Sequence, residues 1–138
     1  MAIYEWSDNY KVGNDFIDYE HKKMFQMIDE FNTALGNNTA QDQLGVLLFS
    51  LEQYAIDHFK HEEDEMLRLD AKGFLLHKLE HTKFIRQLDA WTAKHTVGDY
   101  MFTIAVSRFL YDWLKNHILK TDQLLADAIR KDKFKATL

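Results

Sequence analysis

The chain has 138 residues, of which 46% are hydrophobic, and its formal net charge is -5. This length favours one domain, residues 1–138, with a single core. Acidic and basic residues are interspersed, so the sequence lacks the cationic face that nucleic-acid binding requires. The absence of cysteine excludes disulfides, thiolate zinc sites and cysteine-ligated iron–sulfur clusters. A metal would therefore be held by imidazole and carboxylate groups.

The composition favours helices and gives no sign of a membrane segment. Proline is absent and glycine occurs only five times, which favours long helices over sheets. No apolar run approaches the roughly 20 residues that cross a bilayer, and residues 1–9 lack a basic segment followed by an apolar one. We therefore expect an all-α protein that is soluble and cytoplasmic, with no membrane partner.

An amino-terminal arm, residues 1–13, precedes the first predicted helix. Its Ile3, Tyr4 and Trp6 are expected to pack onto the helices. The polar breaks that follow predict helices over about residues 15–35, 40–65, 74–94 and 100–120, and a short last helix over about 123–131. Helices of this length with short connections indicate an up-down-up-down four-helix bundle.

Glycine and capping residues mark the ends of these helices. Gly36 is the predicted end of the first helix, and residues 37–39 form the turn after it. Thr39 is the predicted cap of the second helix, and Asp99, which follows Gly98, is the predicted cap of the fourth.

Each helix carries a stripe of residues at alternating spacings of four and three, the pattern that faces a bundle core. The stripes are Ile17, His21, Met24, Ile28, Phe31 and Leu35; Leu44, Leu48, Leu51, Ala55, His58 and Glu62; Phe74, His77, His81, Phe84, Leu88 and Trp91; and Val106, Leu110, Trp113 and His117, with Asp122 five residues later. They are apolar except for five histidines and two carboxylates. Buried without partners, each of these seven would cost several kcal/mol, so they must compensate one another.

Chain direction brings the seven polar residues together. In an up-down-up-down bundle the start of the first helix lies beside the end of the second, the start of the third and the end of the fourth. These are the positions of His21; of His58 and Glu62; of His77 and His81; and of His117 and Asp122. We therefore predict one polar layer at one end of the bundle.

The spacing within each pair fits metal binding, with one exception. His77 and His81 are four residues apart and share a helix face, as do His58 and Glu62. His117 and Asp122 are five apart, which rotates them about 140 degrees from each other on an ideal helix. The prediction is either a π-bulge or a helix end that unwinds between residues 118 and 121.

Five imidazoles and two carboxylates exceed what one four-coordinate zinc ion can use. They suit two metals bridged by the carboxylates. Dividing five histidines as three and two leaves the second metal one ligand short, and such an open position is where a small exogenous molecule binds. The ligand set suggests iron, although the Glu-x-x-His motif of ferritin-like di-iron bundles is missing.

These residues carry a resemblance to a known family. His21, the run His58-Phe59-Lys60-His61-Glu62, His77-x-x-x-His81 and His117-x-x-x-x-Asp122 resemble the hemerythrin family, in its bacterial single-domain form. The surroundings also match: Trp6, Val12-Gly13, Ile17-Asp18 and Trp113-Leu114. The resemblance spans nearly the whole chain, and seven ligands in order make it highly specific.

The resemblance implies a di-iron centre that binds dioxygen. His77, His81 and His117 would bind one iron; His21 and His58 would bind the other and leave a site free for dioxygen. Glu62 and Asp122 would bridge both irons, together with an oxo or hydroxo group. An apolar wall around the open site would keep water out and the binding reversible; its expected members are Met24, Phe59, Trp113, Leu114 and Ile118.

Three functions are compatible with this site. The first is reversible dioxygen binding for transport, storage or sensing, without enzymatic activity. The second is a di-iron enzyme with peroxidase, oxidase or nitric oxide scavenging activity, and the third is a structural bundle that merely binds iron or zinc. A monomer is compatible with the sequence, which does not set the oligomeric state or the protein that receives the oxygen.

Two further histidines and an acidic run are not assigned to the metal. His61 is expected to be a solvated surface group, since it stands beside Glu62, Glu63, Asp64 and Glu65. His95 is expected to lie near the carbonyls at the end of the third helix. Within the acidic run, Glu62 alone is expected to turn inward.

Overall fold

The computed structural model describes residues 6–36, 40–94 and 100–137. A 3₁₀ turn, Asp8–Tyr10, precedes five α-helices and one π-helical turn. The α-helices are α1 (Asp15–Gly36), α2 (Ala40–Arg68), α3 (Phe74–Lys94), α4 (Tyr100–Asn116) and α5 (Asp122–Ala136), and the π turn is His117–Thr121. The described residues contain no strand, and the predicted all-α bundle is confirmed.

Helices α1 to α4 form an antiparallel bundle. Residues from the start of α1 contact the end of α2, since His21 lies 2.9 Å from Glu62. Residues from the start of α3 contact the end of α4, since the Nε2 atoms of His81 and His117 are 3.1 Å apart. The polar layer therefore lies at one end of the bundle, as predicted from chain direction.

The core consists of a large cluster and a small one. The large cluster runs along the bundle and includes most of the apolar residues of the four predicted stripes. These are Met24, Ile28, Phe31, Leu44, Leu48, Leu51, Ala55, Phe84, Leu88, Val106 and Leu110. The small cluster closes the end that carries the polar layer, and it contains Val12, Ile17, Met66, Leu125, Ala126 and Ile129. Residues from the arm, from α1, α2 and α5 thus cover the polar layer from outside.

The described part of the arm is fixed to α1. Trp6 stacks on Tyr10 with ring centroids 5.4 Å apart, and Tyr10 packs edge-on against Phe25 of α1. The Val12 amide donates to the buried carboxylate of Asp18 at 2.8 Å. Asn14 accepts a hydrogen bond from the Ile17 amide at 3.0 Å and so caps the start of α1. The predicted packing of Trp6 is present, whereas Ile3 and Tyr4 lie outside the described residues.

A π turn joins α4 to α5 without a break in the helix. The amide of Asp122 donates to the carbonyl of His117, five residues back. The extra residue in this turn brings His117 and Asp122 to the same side, where both are buried. Of the two predicted alternatives, the π-bulge is the one present.

Two helices are longer than predicted. Helix α2 continues three residues past residue 65, and α5 runs from 122 to 136 instead of about 123–131. Met66 extends α2 because it is fully buried in the small core cluster. Gly73 directly precedes α3 and has a φ of 79°. A Cβ at this position would come within 2.8 Å of Leu124.

Several predicted features fall on residues that the structure does not describe. These are the turn at 37–39 with the Thr39 cap, Gly98 and the Asp99 cap, and His95. Among the described helices, none is both long and apolar enough to cross a membrane.

Candidate metal centre

All seven of the polar residues in the predicted stripes are buried. None is more than 3% exposed. His21 comes from α1, His58 and Glu62 from α2, His77 and His81 from α3, His117 from the π turn and Asp122 from the first residue of α5. Five elements thus supply one compact cluster.

The two carboxylates stand between two groups of histidines. Asp122 Oδ1 lies 2.9 Å from His77 Nε2 and 3.1 Å from His117 Nε2. Glu62 Oε1 lies 3.1 Å from His81 Nε2. One oxygen of each carboxylate therefore faces a group made of His77, His81 and His117, which we call the three-histidine side.

The other oxygen of each carboxylate faces the remaining two histidines. Glu62 Oε2 lies 2.9 Å from His21 Nε2 and 3.2 Å from His58 Nε2. Asp122 Oδ2 lies 3.2 Å from His21 Nε2. His21 and His58 form the two-histidine side, and both carboxylates connect the two sides.

Several of the atoms that meet at the centre have no hydrogen-bond partner. Glu62 Oε1, both oxygens of Asp122 and Nε2 of His77 are buried without a hydrogen-bond partner in the described structure. The geometry of their close contacts is not that of hydrogen bonds. These buried polar atoms without partners therefore destabilise the core. Positive ions placed among converging nitrogen and oxygen atoms would satisfy all of them.

The electrostatics of the cluster are those of ion pairs. Burial alone would lower the pKa of His21, but the nearby carboxylates of Asp122 and Glu62 outweigh burial and raise that pKa to about 9. The same balance raises the pKa of His77 to about 9. Burial would raise the pKa of Glu62, yet the charge of His58 holds it well below its usual value. Without metal, protons on the imidazoles supply the positive charge that a metal would replace.

A second layer of carboxylates surrounds the histidines, and sequence reasoning missed it. Glu63 lies 2.8 Å from Nδ1 of His81, and Glu80 lies 3.0 Å from Nδ1 of His117. Thr121 donates to the other oxygen of Glu80 at 2.8 Å. A carboxylate on Nδ1 keeps the proton there and turns Nε2 toward the centre.

The prediction that Glu62 alone turns inward was therefore wrong. The Glu63 side chain is only 18% exposed, because the ion pair with His81 holds it against α3. A carboxylate next to a ligand-type residue was the available signal. This signal was not recognised, because the acidic run resembles an ordinary solvated helix end.

Glu20 is the third member of this layer and lies on the two-histidine side. Its residue exposure is 4%, and its Oε1 lies 3.0 Å from Nδ1 of His58. Its Oε2 lies 2.9 Å from Nδ1 of His61. His61 was predicted to be solvated, and its side chain is indeed 41% exposed, but its ring is paired with a buried carboxylate.

Aromatic rings cover the three-histidine side. Phe59 stacks on His81 with centroids 3.8 Å apart and planes within 4°. Trp113 stacks on His117 with centroids 4.5 Å apart. The other expected wall residues, Met24, Leu114 and Ile118, are buried in the large core cluster. Trp113 also lines a surface cavity of about 460 Å³ that reaches His117.

Comparison with known proteins identifies the family. Residues 12–129 match the model of a family described as the Hemerythrin HHE cation binding domain. The chain belongs to this family. The buried cluster of histidines and carboxylates is of a kind that can hold a metal ion.

Individual hemerythrin relatives match along most of their length. The chain is 30% identical over 129 residues to a bacteriohemerythrin of Clostridium acetobutylicum, covering 91% of this chain and all of the relative. It is 33% identical to a bacteriohemerythrin of Methylococcus capsulatus, covering 90% and 95% of the two chains. A crystal structure of wild-type hemerythrin matches with a TM-score of 0.77 and 28% identity, covering 93% of this chain and 98% of that one.

Proposed function

We propose that this hemerythrin-family chain holds two iron ions in the buried cluster and binds dioxygen reversibly beside one of them. His77, His81 and His117 would hold the first iron, His21 and His58 would hold the second, and Glu62 and Asp122 would serve both. The proposal makes the protein a carrier, store or sensor of oxygen rather than an enzyme.

The observation that carries this proposal is the division of the carboxylate oxygens. Each of Glu62 and Asp122 presents one oxygen to the three-histidine side and the other to the two-histidine side. A carboxylate that bridges two metals is used in this manner. The two sides differ by one imidazole, so the second metal has one protein ligand fewer than the first.

The donor set fits iron better than the commoner alternatives. Calcium and magnesium take oxygen ligands, whereas five of the seven groups here are imidazoles. One tetrahedral zinc would use four groups and leave the others buried without partners. Two iron ions use all seven, including the unpartnered oxygens of Glu62 and Asp122.

Two ferrous ions held in this way can supply two electrons to dioxygen and recover them when it leaves. The chain contributes by shielding this chemistry from water. Met24, Phe59, Leu114 and Ile118 are at most 3% exposed, and they pack in the large core cluster, where apolar groups take the place of water. Exclusion of water and protons favours release of unchanged dioxygen over loss of a reduced product.

Repeated exposure to air and argon tests this function against the enzymatic alternative. Protein reconstituted with iron should contain two iron atoms per chain by metal analysis. After anaerobic reduction, its visible absorption should appear in air and disappear under argon through many cycles. A single change with release of peroxide, or turnover of an added substrate, would instead favour a peroxidase or oxidase. One zinc per chain would contradict the di-iron centre.

A variant of the bridging residue Asp122 and a variant of the exposed residue Lys60 test the assigned ligands. Asp122→Asn should lose the iron pair, because an amide supplies only one oxygen to the two sides. Lys60→Ala should keep both iron atoms, since Lys60 is exposed on α2 and, within the described structure, forms its ion pair with Asp64. Iron loss in the Lys60 variant would show that loading reports general damage and not the assigned ligands.

A further inference from the structure

The two histidines of the two-histidine side are oriented by different means. The Nδ1 atom of His21 is buried with no hydrogen-bond partner in the described structure. The Nδ1 atom of His58 lies 3.0 Å from Glu20. Among the described residues, Glu20 is therefore the carboxylate that orients a histidine on this side.

Glu20 is itself held by His61. Both of its oxygens are occupied, Oε1 by His58 and Oε2 by His61 at 2.9 Å. Because an ionised carboxylate can only accept, both imidazoles donate from Nδ1. Burial would raise the pKa of Glu20, but one hydrogen bond from His58 and one from His61 hold it below its usual value. The carboxylate is therefore charged, buried and shared between one inner and one outer imidazole.

His61 has a fixed position at the surface. Its ring packs edge-on against Phe16 with centroids 5.0 Å apart, and its backbone belongs to α2, three residues after His58. Both imidazoles therefore approach the same α1 carboxylate from one helix. Removal of His61 would leave Glu20 Oε2 without this donor and allow the carboxylate to rotate toward solvent, away from His58.

We infer that His61 is a positioning residue of the metal centre: through Glu20 it holds the imidazole of His58 in the orientation that binds the second iron. This role rests on the proposed di-iron site. It is confined to the two-histidine side, because the three-histidine side has its own carboxylates, Glu63 and Glu80. His61 contacts no metal, and it acts only through Glu20.

The consequence for metal binding is selective. Loss of a hydrogen-bond partner of a metal-binding histidine lowers metal affinity by about 10–100-fold. His61→Leu should weaken the second iron by about tenfold, the lower end of that range, since Glu20 itself remains. His61→Asn should stay close to the wild type, because its amide nitrogen can replace Nδ1 as a donor to Glu20. Glu80→Gln is the matched control and should weaken the first iron instead.

Two measurements test the inference. The first needs no metal: in nitrogen-15 NMR of the metal-free protein, the Nδ1 proton of His58 should be downfield and protected from exchange in the wild type and in His61→Asn. In His61→Leu it should move upfield and exchange faster. The second measurement is anaerobic titration with ferrous iron, which should separate the weakened second site from an unchanged first site. Circular dichroism verifies that each variant is folded, as expected for substitution of a half-exposed residue.

Either of two results would overturn this role. One is a His58 proton signal that is the same in His61→Leu as in the wild type, which would show that His61 does not hold Glu20 in place. The other is an unchanged affinity for the second iron in that variant. Failure of the proposed function has a different signature, namely wild-type protein that takes up no iron pair or does not release dioxygen, and the metal-free NMR measurement is independent of that outcome.

Discussion

The two ends of this bundle are built from the same four stripes and differ in what they require. At one end the stripes are apolar, and residues such as Leu44, Leu48 and Leu110 are completely buried. At the other end the same stripes carry His21, Glu62 and their partners, equally buried. The apolar end stabilises the fold by itself. The polar end depends on protons or metal ions to compensate its charges, so metal and pH should act on the polar end and leave the apolar end unaffected.

Metal loading should have the largest effect and should act through the polar end. At a free ferrous iron concentration about 1,000 times the dissociation constant, each site should add about 4 kcal/mol to the free energy of unfolding. Anaerobic chemical denaturation of metal-free and iron-loaded protein measures this difference. Equal stability of the two forms would contradict the assignment of the cluster as a metal site.

A cavity at the apolar end should have a comparable effect on folding and none on metal content. Leu48→Ala should lower the free energy of unfolding by about 2–5 kcal/mol, since Leu48 is fully buried in the large cluster. Iron per chain should stay at the wild-type value. Loss of iron from a folded Leu48 variant would show that the two ends are not independent.

The pH dependence of the metal-free protein should come from the polar end. The pKa values of His21 and His77 are raised to about 9 in the folded state, from an ordinary value near 6.5. A raised pKa stabilises the fold fully below the unfolded value, and this stabilisation is lost as pH rises through the folded one. Stability should therefore fall between about pH 6.5 and 9, by at most about 1.4 kcal/mol per pH unit for each histidine. A stability that rises over this range would refute the ion-pair description.

A change in the second layer of carboxylates should have the smallest effect on folding. Thr121→Val removes the hydrogen bond from Thr121 to Glu80, which is worth about 0.5–1.5 kcal/mol. Urea denaturation of the metal-free variant should detect this shift. A loss much above that range would mean that Glu80 stabilises the fold itself and does not merely orient His117.

The sequence predicted the features that follow from helical periodicity. Spacings of four and three identified the stripes, and chain direction brought His21, Glu62 and His117 to one layer. Even the π turn was among the predicted alternatives, because a separation of five residues cannot share a face on a regular α-helix. These inferences needed only the geometry of one helix and the order of the helices.

The second layer of carboxylates could not be predicted in the same way. Glu20 and Glu63 stand beside stripe residues, at positions where a regular helix turns toward solvent. Whether such a carboxylate folds back onto a histidine depends on how far apart neighbouring helices pack, which the sequence pattern does not contain. The pairing of His61 with Glu20 joins α1 to α2 across 41 residues, and no periodicity within one helix could indicate it.

An oxygen titration of the reduced protein measures whether the proposed pair of irons binds dioxygen reversibly. Reduced, iron-loaded protein is equilibrated with increasing dioxygen while visible absorption and iron content are measured. Absorption should saturate at one dioxygen per two iron atoms, and the starting spectrum should return when oxygen is removed. Absence of uptake, or uptake that cannot be reversed by removing oxygen, would contradict it.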